Sequence, residues 1–199
     1  EKILWSKLLV AAENGRRTGL GTHGLADCMA NLCLKYDEDD SIKMMSKIYT
    51  AFRNSAYTES INLAKERGSF PVYDKNVECE NMFIARLPDE IKSEMEKHGR
   101  RNISILTNAP TGSVSIMSQT SSGIEPTFKN VYIRRRKLNH NENIEHDFID
   151  ELGDKWVEYK TYSHNVRDYL KRFDTQEIPS YFVEADSIDW VKRVKVQSV

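Results

Sequence analysis

Apolar positions recur at helical spacing along most of the chain. Ile3, Leu4, Leu8, Leu9 and Ala12 predict a helix over residues 1–14, with Gly15 as its C-cap. Residues 16–24 read as extended and glycine-punctuated, and residues 25–34 as a buried helix. An acidic turn with capping character covers residues 37–41. Ile42, Met45, Ile48, Phe52, Ala56 and Leu63 then predict the longest helix, which runs up to Gly68. Residues 69–73 form a loop, and residues 74–83 are polar without a clear period. Pro88 opens a short charged helix over residues 89–97, ended by Gly99. The texture changes at residue 100, where Ile103, Ile105 and Thr107 alternate with Ser104 and Leu106 as a β-strand does. A Pro-Thr-Gly-Ser turn follows, and Val131–Ile133 is a second strand. Past Asn139 the helical period returns at Phe148, Leu152, Trp156 and Tyr159, then at Tyr162, Val166, Tyr169 and Phe173. Residues 179–183 are extended, and Ser187 is placed to cap a last helix through Val194.

Strands separated by long helices indicate the α/β class. The chain divides into a mainly helical stretch (1–99), a strand-and-loop stretch (100–137) and a helical stretch with a terminal extended segment (138–199), all within one domain. The 199 residues hold 39% hydrophobic and 30% charged side chains, with mean hydropathy −0.61. Twenty-nine basic and 30 acidic residues leave a net charge of −1, so no global field favours direct nucleic-acid binding or a membrane surface. No apolar run approaches the roughly 18 residues that span a bilayer, and the N-terminal residues do not resemble a signal peptide. Three cysteines are too few for a disulfide scaffold, which points to a cytoplasmic setting. The chain opens without Met and closes without a structural stop signal, as an excerpt or split product would.

Candidate chemistry is concentrated between Asn102 and Ser122. A strand runs into Pro110-Thr111-Gly112-Ser113-Val114-Ser115. Consecutive backbone N–H groups at such a turn can bind phosphate oxygens. Gly112 allows close approach, Thr111, Ser113 and Ser115 add hydroxyls, and Pro110 sets the direction of the chain. The other reading is an ordinary Pro-Gly turn; the Gly-Lys-Ser/Thr ending of a Walker A loop is absent. Gly19, Gly21 and Gly24 match Gly-x-Gly-x-x-Gly, but polar Arg16-Arg17-Thr18 precedes them, so tight strand-to-helix packing competes with a dinucleotide site. Cys28 and Cys33 read as buried small hydrophobes, and Cys79 stands alone in a polar stretch. His23, His98, His140, His146 and His164 show no ligand spacing, so no metal site is expected; His23 reads as a hydrogen-bonded structural residue. Arg134-Arg135-Arg136-Lys137 is a basic cluster that Glu142, Glu145 and Asp147 can neutralise, with phosphate contact as the other reading. Tyr132, Tyr159, Tyr162 and Tyr169 read as core or interface. Glu125 beside Pro126 either orients a ligand or holds its own turn.

The run from Asn102 to Lys137 closely resembles the large catalytic chain of ribonucleotide reductases. So do residues 16–27, 63–71, 151–156 and 190–197, all in order along the chain. The form Ala-Pro-Thr-Gly-Ser-Val-Ser, followed by Thr-Ser-Ser-Gly-Ile-Glu-Pro, is similar to the adenosylcobalamin-dependent class. The oxygen-dependent class looks more like Pro-Met-Pro-Thr-Ala-Ser-Thr at this place. The resemblance implies that Pro110, Thr111, Gly112, Ser113, Val114 and Ser115 hold the phosphates of a ribonucleoside di- or triphosphate. It implies a ten-stranded α/β barrel around a finger loop, of which this chain supplies the C-terminal portion, and adenosylcobalamin as cofactor of the complete enzyme.

Two parts of the family pattern are missing. The Asn-Pro-Cys-Gly-Glu loop that carries the thiyl radical is absent, and Cys28, Cys33 and Cys79 fall outside any redox-pair motif. The expected partner is therefore the remaining reductase polypeptide with that cysteine loop, and the last barrel segment is expected beyond Val199. Alone, this chain is expected to be inactive. The competing readings are a non-catalytic binding or assembly module that complements or regulates a reductase, and a plain helical scaffold, which leaves residues 102–122 unexplained.

Overall fold

A computed structural model describes residues 1–139 and 141–198; His140 and Val199 lie outside the described residues. The chain folds as two compact units, Glu1–Thr22 with Ile42–Pro110 and His23–Ser41 with Thr111–Ser198. Helices dominate both, and the described sheet has three strands. No helix among the described residues is long and apolar enough to cross a membrane.

In the first unit, α1 (Lys2–Gly15) runs one residue past its expected end. Arg16, rather than Gly15, takes the left-handed position at φ 45° and returns its N–H to the Ala12 carbonyl. The apolar face of α1 is open, with Ile3, Leu4, Trp5, Leu8 and Leu9 half or more exposed. The long helix is α3 (Asp39–Arg67), 29 residues, with Asp39 and Asp40 in its first turn and Lys65 and Arg67 in its last, as the helix dipole favours. The polar stretch after it contains α4 (Lys75–Cys79), capped by the Asp74 carboxylate, which accepts from the Asn76 N–H at 2.9 Å. Pro88 precedes α5 (Asp89–His98), which ends at Gly99 with φ 69°, close to its expected bounds. Tyr57 and Ile61 of α3 pack with Ile84, Leu87, Met95 and Ile105 in a buried core.

The alternating stretch 103–107 is extended but does not build a regular strand. Four backbone hydrogen bonds tie it to residues 15–20: Ile103 N to Gly15 O, Thr18 N to Ser104 O, Leu20 N to Ile105 O and Thr107 N to Leu20 O. Only Leu20 and Leu106 meet as a parallel bridge. The neighbour is irregular, starting at left-handed Arg16 and carrying glycines where the backbones crowd. A Cβ on Gly21 would lie 1.9 Å from the Thr107 carbonyl oxygen. Behind this pairing, Arg100 is buried against Glu78. Its Nη2 and Nε donate to the two carboxylate oxygens at 2.8 and 3.0 Å, and its Nη1 donates to the carbonyls of Asn102 and, at 2.8 Å, Ile103.

In the second unit, α2 (Leu25–Asn31) buries Leu25, Ala26, Met29 and Ala30. Cys28 and Cys33, expected in the core, are exposed, as is Cys79. Cys28 is exposed although it stands one turn after buried Leu25, and Cys33 follows the helix end at φ 56°. The helical period expected over 148–159 is instead a hairpin. β1 (Val131–Lys137) pairs antiparallel with β3 (Lys155–Tyr162), and the two-residue β2 (Phe148–Ile149) pairs with β3 on its other side. Residues four apart share a face in either structure, and the seven-residue pairing with β1 decides for the strand. Asp150 holds the β2–β3 turn by accepting from the N–H groups of Leu152 and Asp154 and from the Trp156 indole at 2.8 Å. The helix expected near Tyr162–Phe173 is present as α7 (His164–Phe173). Residues 179–182 turn rather than extend, with Phe182 N returning to Pro179 O. Asp189, not Ser187, caps α8 (Trp190–Gln197), its carboxylate accepting from Val191 N at 2.9 Å.

Candidate functional site

The Pro-Thr-Gly-Ser stretch becomes the start of a short helix, α6 (Gly112–Ser118). Pro110 closes the first unit, and Thr111 opens its part of the second. Thr111 is left-handed at φ 52°, a strained choice for a β-branched residue. Its hydroxyl oxygen accepts the Gly123 N–H at 2.8 Å, which ties the turn to the Ser-Ser-Gly segment after α6. Ser115 is 3% exposed. Its hydroxyl donates to the Gly112 carbonyl at 3.0 Å and lies 2.9 Å from the Ser122 hydroxyl. Thr111 and Ser115 therefore hold the turn in shape. Gly112, Ser113 and Val114 are exposed, and the first N–H groups of a helix have no acceptor within it. No side chain caps them, so three backbone donors and the Ser113 hydroxyl face outward together.

The segment after α6 is held by α2 and α7. Gly24 N donates to Ser121 O at 2.9 Å. The Asp27 carboxylate accepts the Ser121 N–H at 2.6 Å and the Asn165 amide at 3.2 Å. Burial pushes the Asp27 carboxyl above its ordinary value, against the opposing pull of these donors. Gly24, at φ 77°, makes the bend that brings α2 here. His23 Nδ1 sits 3.0 Å from the Thr120 hydroxyl, a structural role of the kind expected for it. A cavity of about 960 Å³ opens beside this segment, bordered by Asp27, Ser115, residues 120–122 and 125–129, Tyr132 and Arg134 of β1, and the start of α7.

The other candidates are structural. A Cβ on Gly19 would stand 2.6 Å from Thr107 Cγ2, so Gly19 and Gly21 serve close packing. Arg135, Arg136 and Lys137 pair with Glu158, Glu142 and Asp154; of these acids only Glu142 is among those expected from the sequence. Glu125 pairs with Arg193, and its N–H returns to Ser122 O, which holds its own turn. Among the described residues no group of three or more His, Cys, Asp or Glu is placed to hold a metal ion. Residue order does not reveal Asp27 and Asn165: each meets its partner across about a hundred residues or more, beyond any local spacing.

The family model described as the ribonucleotide reductase barrel domain matches residues 7–199. The vitamin B12-dependent ribonucleoside-diphosphate reductase of Mycobacterium tuberculosis is 32% identical over 124 residues, 62% of this chain and 16% of that protein. The protein of the same name from Thermoplasma acidophilum is 30% identical over 183 residues, 87% of this chain and 21% of its own length. The ribonucleoside-diphosphate reductase large chain of Encephalitozoon cuniculi is 26% identical over 147 residues, 69% and 19% respectively. The chain thus spans about a fifth or less of the length of these relatives. With a helix-rich α/β architecture and a match over nearly all its residues, the chain belongs to the ribonucleotide reductase barrel-domain family.

Proposed function

We propose that this chain is the part of an adenosylcobalamin-dependent ribonucleotide reductase that receives the substrate's phosphates and completes the catalytic barrel. The match over residues 7–199 carries this reading. The named reductases act on ribonucleoside diphosphates, which favours a diphosphate as substrate here. The reaction replaces the 2′-hydroxyl by hydrogen, for deoxyribonucleotide supply in the cytoplasm. The radical cysteine loop belongs to the remaining reductase polypeptide, the expected partner of this chain.

Within the assembly, the N–H groups of Gly112, Ser113 and Val114 and the Ser113 hydroxyl meet phosphate oxygens. Pro110 directs the chain into the turn, while Thr111 and Ser115 keep it in shape. Backbone donors suit this task because they are pre-oriented and lose little entropy on binding. Adenosylcobalamin supplies the radical initiation in such an enzyme. The 960 Å³ cavity beside the turn is of a size that suits a nucleotide.

Nucleotide binding to the assembled reductase tests the loop. Replacing both Ser113 and Ser115 by Ala is expected to weaken nucleoside diphosphate binding by about 1.5–3 kcal/mol for each hydrogen bond to the charged phosphate that is removed. Ser113→Ala reports a direct hydrogen bond and Ser115→Ala the shape of the turn. Unchanged affinity in the double variant overturns the phosphate assignment.

A further inference from the structure

Three hydrogen bonds tie the α6 turn to one segment. α6 has seven residues, and both flanking positions are left-handed, Thr111 at φ 52° and Gln119 at φ 58°. A helix this short does not persist on its own hydrogen bonds, so its shape is set from outside. The Thr111 hydroxyl accepts from Gly123 N at 2.8 Å, and the Ser115 hydroxyl meets that of Ser122 at 2.9 Å. The Ser115 carbonyl accepts from Thr120 N at 3.0 Å. All three partners lie within residues 120–123.

Asp27 grips the middle of that segment. One carboxylate oxygen accepts from Ser121 N at 2.6 Å and the other from the Asn165 amide at 3.2 Å, which links the segment to α7. The Asp27 N–H in turn donates to the Ser121 hydroxyl at 3.4 Å. Asp27 also lines the cavity, where a carboxylate repels a phosphate. The other acids of that wall face cations, Glu125 with Arg193 and Asp186 with Lys129. Asp27 has no Lys or Arg partner among the described residues, and hydrogen-bond donors alone meet its two oxygens. Its charge works against an anion, so what it gives the site is the placement of its acceptors.

We propose that Asp27 is a positioning residue for the substrate: by fixing Ser121 it sets, through Ser122 and Gly123, the turn whose N–H groups meet the phosphates. The inference rests on the phosphate-loop reading for its ligand and adds to it the residue that holds the loop. Acceptor placement, not charge, carries the role. Once the Ser121 N–H loses its partner, the turn keeps the held shape for only a fraction of the time, and apparent affinity falls by that fraction.

Calorimetric titration of ADP and of adenosine into the assembled reductase separates placement from charge. Asp27→Glu keeps the charge but carries its acceptors one methylene further, whereas Asp27→Asn removes the charge and keeps an acceptor for Ser121 N. Asp27→Ala and Asp27→Glu are expected to weaken ADP about tenfold while adenosine stays within about twofold, and Asp27→Asn to recover most of the ADP affinity. Asp27→Glu carries the test if Asp27→Ala fails to fold. Ser122→Ala, which cuts the link to Ser115, is expected to add little to Asp27→Ala, because both act through one segment. Ser113→Ala, at an outward-facing donor, reports on the loop itself. ADP binding that falls in Ser113→Ala but ignores Asp27→Ala and Asp27→Glu overturns this inference and leaves the loop reading standing. Indifference to all of these variants overturns both. Asp27→Asn as poor as Asp27→Ala assigns the effect to charge and overturns the positioning role, and equal losses of ADP and adenosine reduce Asp27 to a structural one.

Discussion

Removing the negative charge opposite Arg100 tests how the first unit holds its extended segment. The Arg100 and Glu78 side chains are 4% and 11% exposed. Two charge-assisted bonds join them, and Arg100 makes two more to the carbonyls of Asn102 and Ile103. The guanidinium also lies 5.8 Å from the Tyr57 ring centre and 5.3 Å from that of Phe70. Glu78→Gln leaves a buried cation facing a neutral amide, which costs about 3–5 kcal/mol. At about 1.4 kcal/mol per decade this is a factor of roughly 140–3,700. Arg100 orients the carbonyls beside Ile103, whose N–H bonds to Gly15 O. The readout is hydrogen exchange at the Ile103 and Leu20 amides in the assembled enzyme, where protection is expected to fall by that factor. Replacing both partners, Glu78→Leu with Arg100→Met, is expected to recover most of the loss, because no unpaired charge remains. Protection in Glu78→Gln within about twofold of the parent, or a double variant as poor as the sum of the single ones, refutes the reasoning.

Asp27 and Glu94 give pH dependences of opposite sign. The Asp27 carboxyl is raised by burial, so its contribution is full below the ordinary value of 3.8 and is lost as pH rises through the raised one. Asp27→Asn should flatten the thermal stability profile as pH rises above the ordinary carboxyl value of 3.8, and an unchanged slope counts against the assignment. Glu94 is held down to about 2, first by the hydrogen bond from Lys65 and then by that from Lys97. Its contribution is full above 4.5 and is lost as pH falls through about 2. Glu94→Gln should remove this dependence at low salt and change little in about 1 M salt, where exposed pairs are screened. Thr111→Val keeps the left-handed strain and loses the acceptor for Gly123 N, for an expected cost of about 1–3 kcal/mol by urea unfolding, whereas Thr111→Asn should cost less. Gly21→Ala drives a Cβ to 1.9 Å from the Thr107 carbonyl oxygen and should abolish protection at Thr107 N, while a Cβ on Gly68 meets nothing within 4 Å.

Elements whose bonds are local are readable from residue order. α3 repeats its apolar residues every three or four positions, and its bounds lie within a few residues of those the period predicts. α5 is framed by Pro88 and Gly99. The candidate phosphate turn is visible because its donors are contiguous. The hairpin reads as a helix because Phe148, Leu152 and Trp156 are four apart, a spacing that both a helix and a strand place on one face. The side of α2 turned to the core depends on its neighbours, so residue type alone does not tell Cys28 from Met29. Asp27 with Ser121, and Arg100 with Glu78, are meetings between distant segments that a one-dimensional pattern does not encode.

The parallel pairing of residues 15–20 with 103–107 has a kinetic consequence. Thr18 bonds to Ser104 across 86 positions. Closing a loop of that length costs about 2 kcal/mol more than closing one of ten residues. A helix such as α3 forms in about a microsecond or less. On the ribosome, at about 5–20 residues per second, the 86-residue separation means that the partner segment emerges roughly 4–17 s later. Throughout that interval residues 15–20 present unmet backbone donors and acceptors beside the bare apolar face of α1. That makes this stretch the one in the first unit most open to mispairing during synthesis, and Gly21 leaves no room for a side chain to guard it.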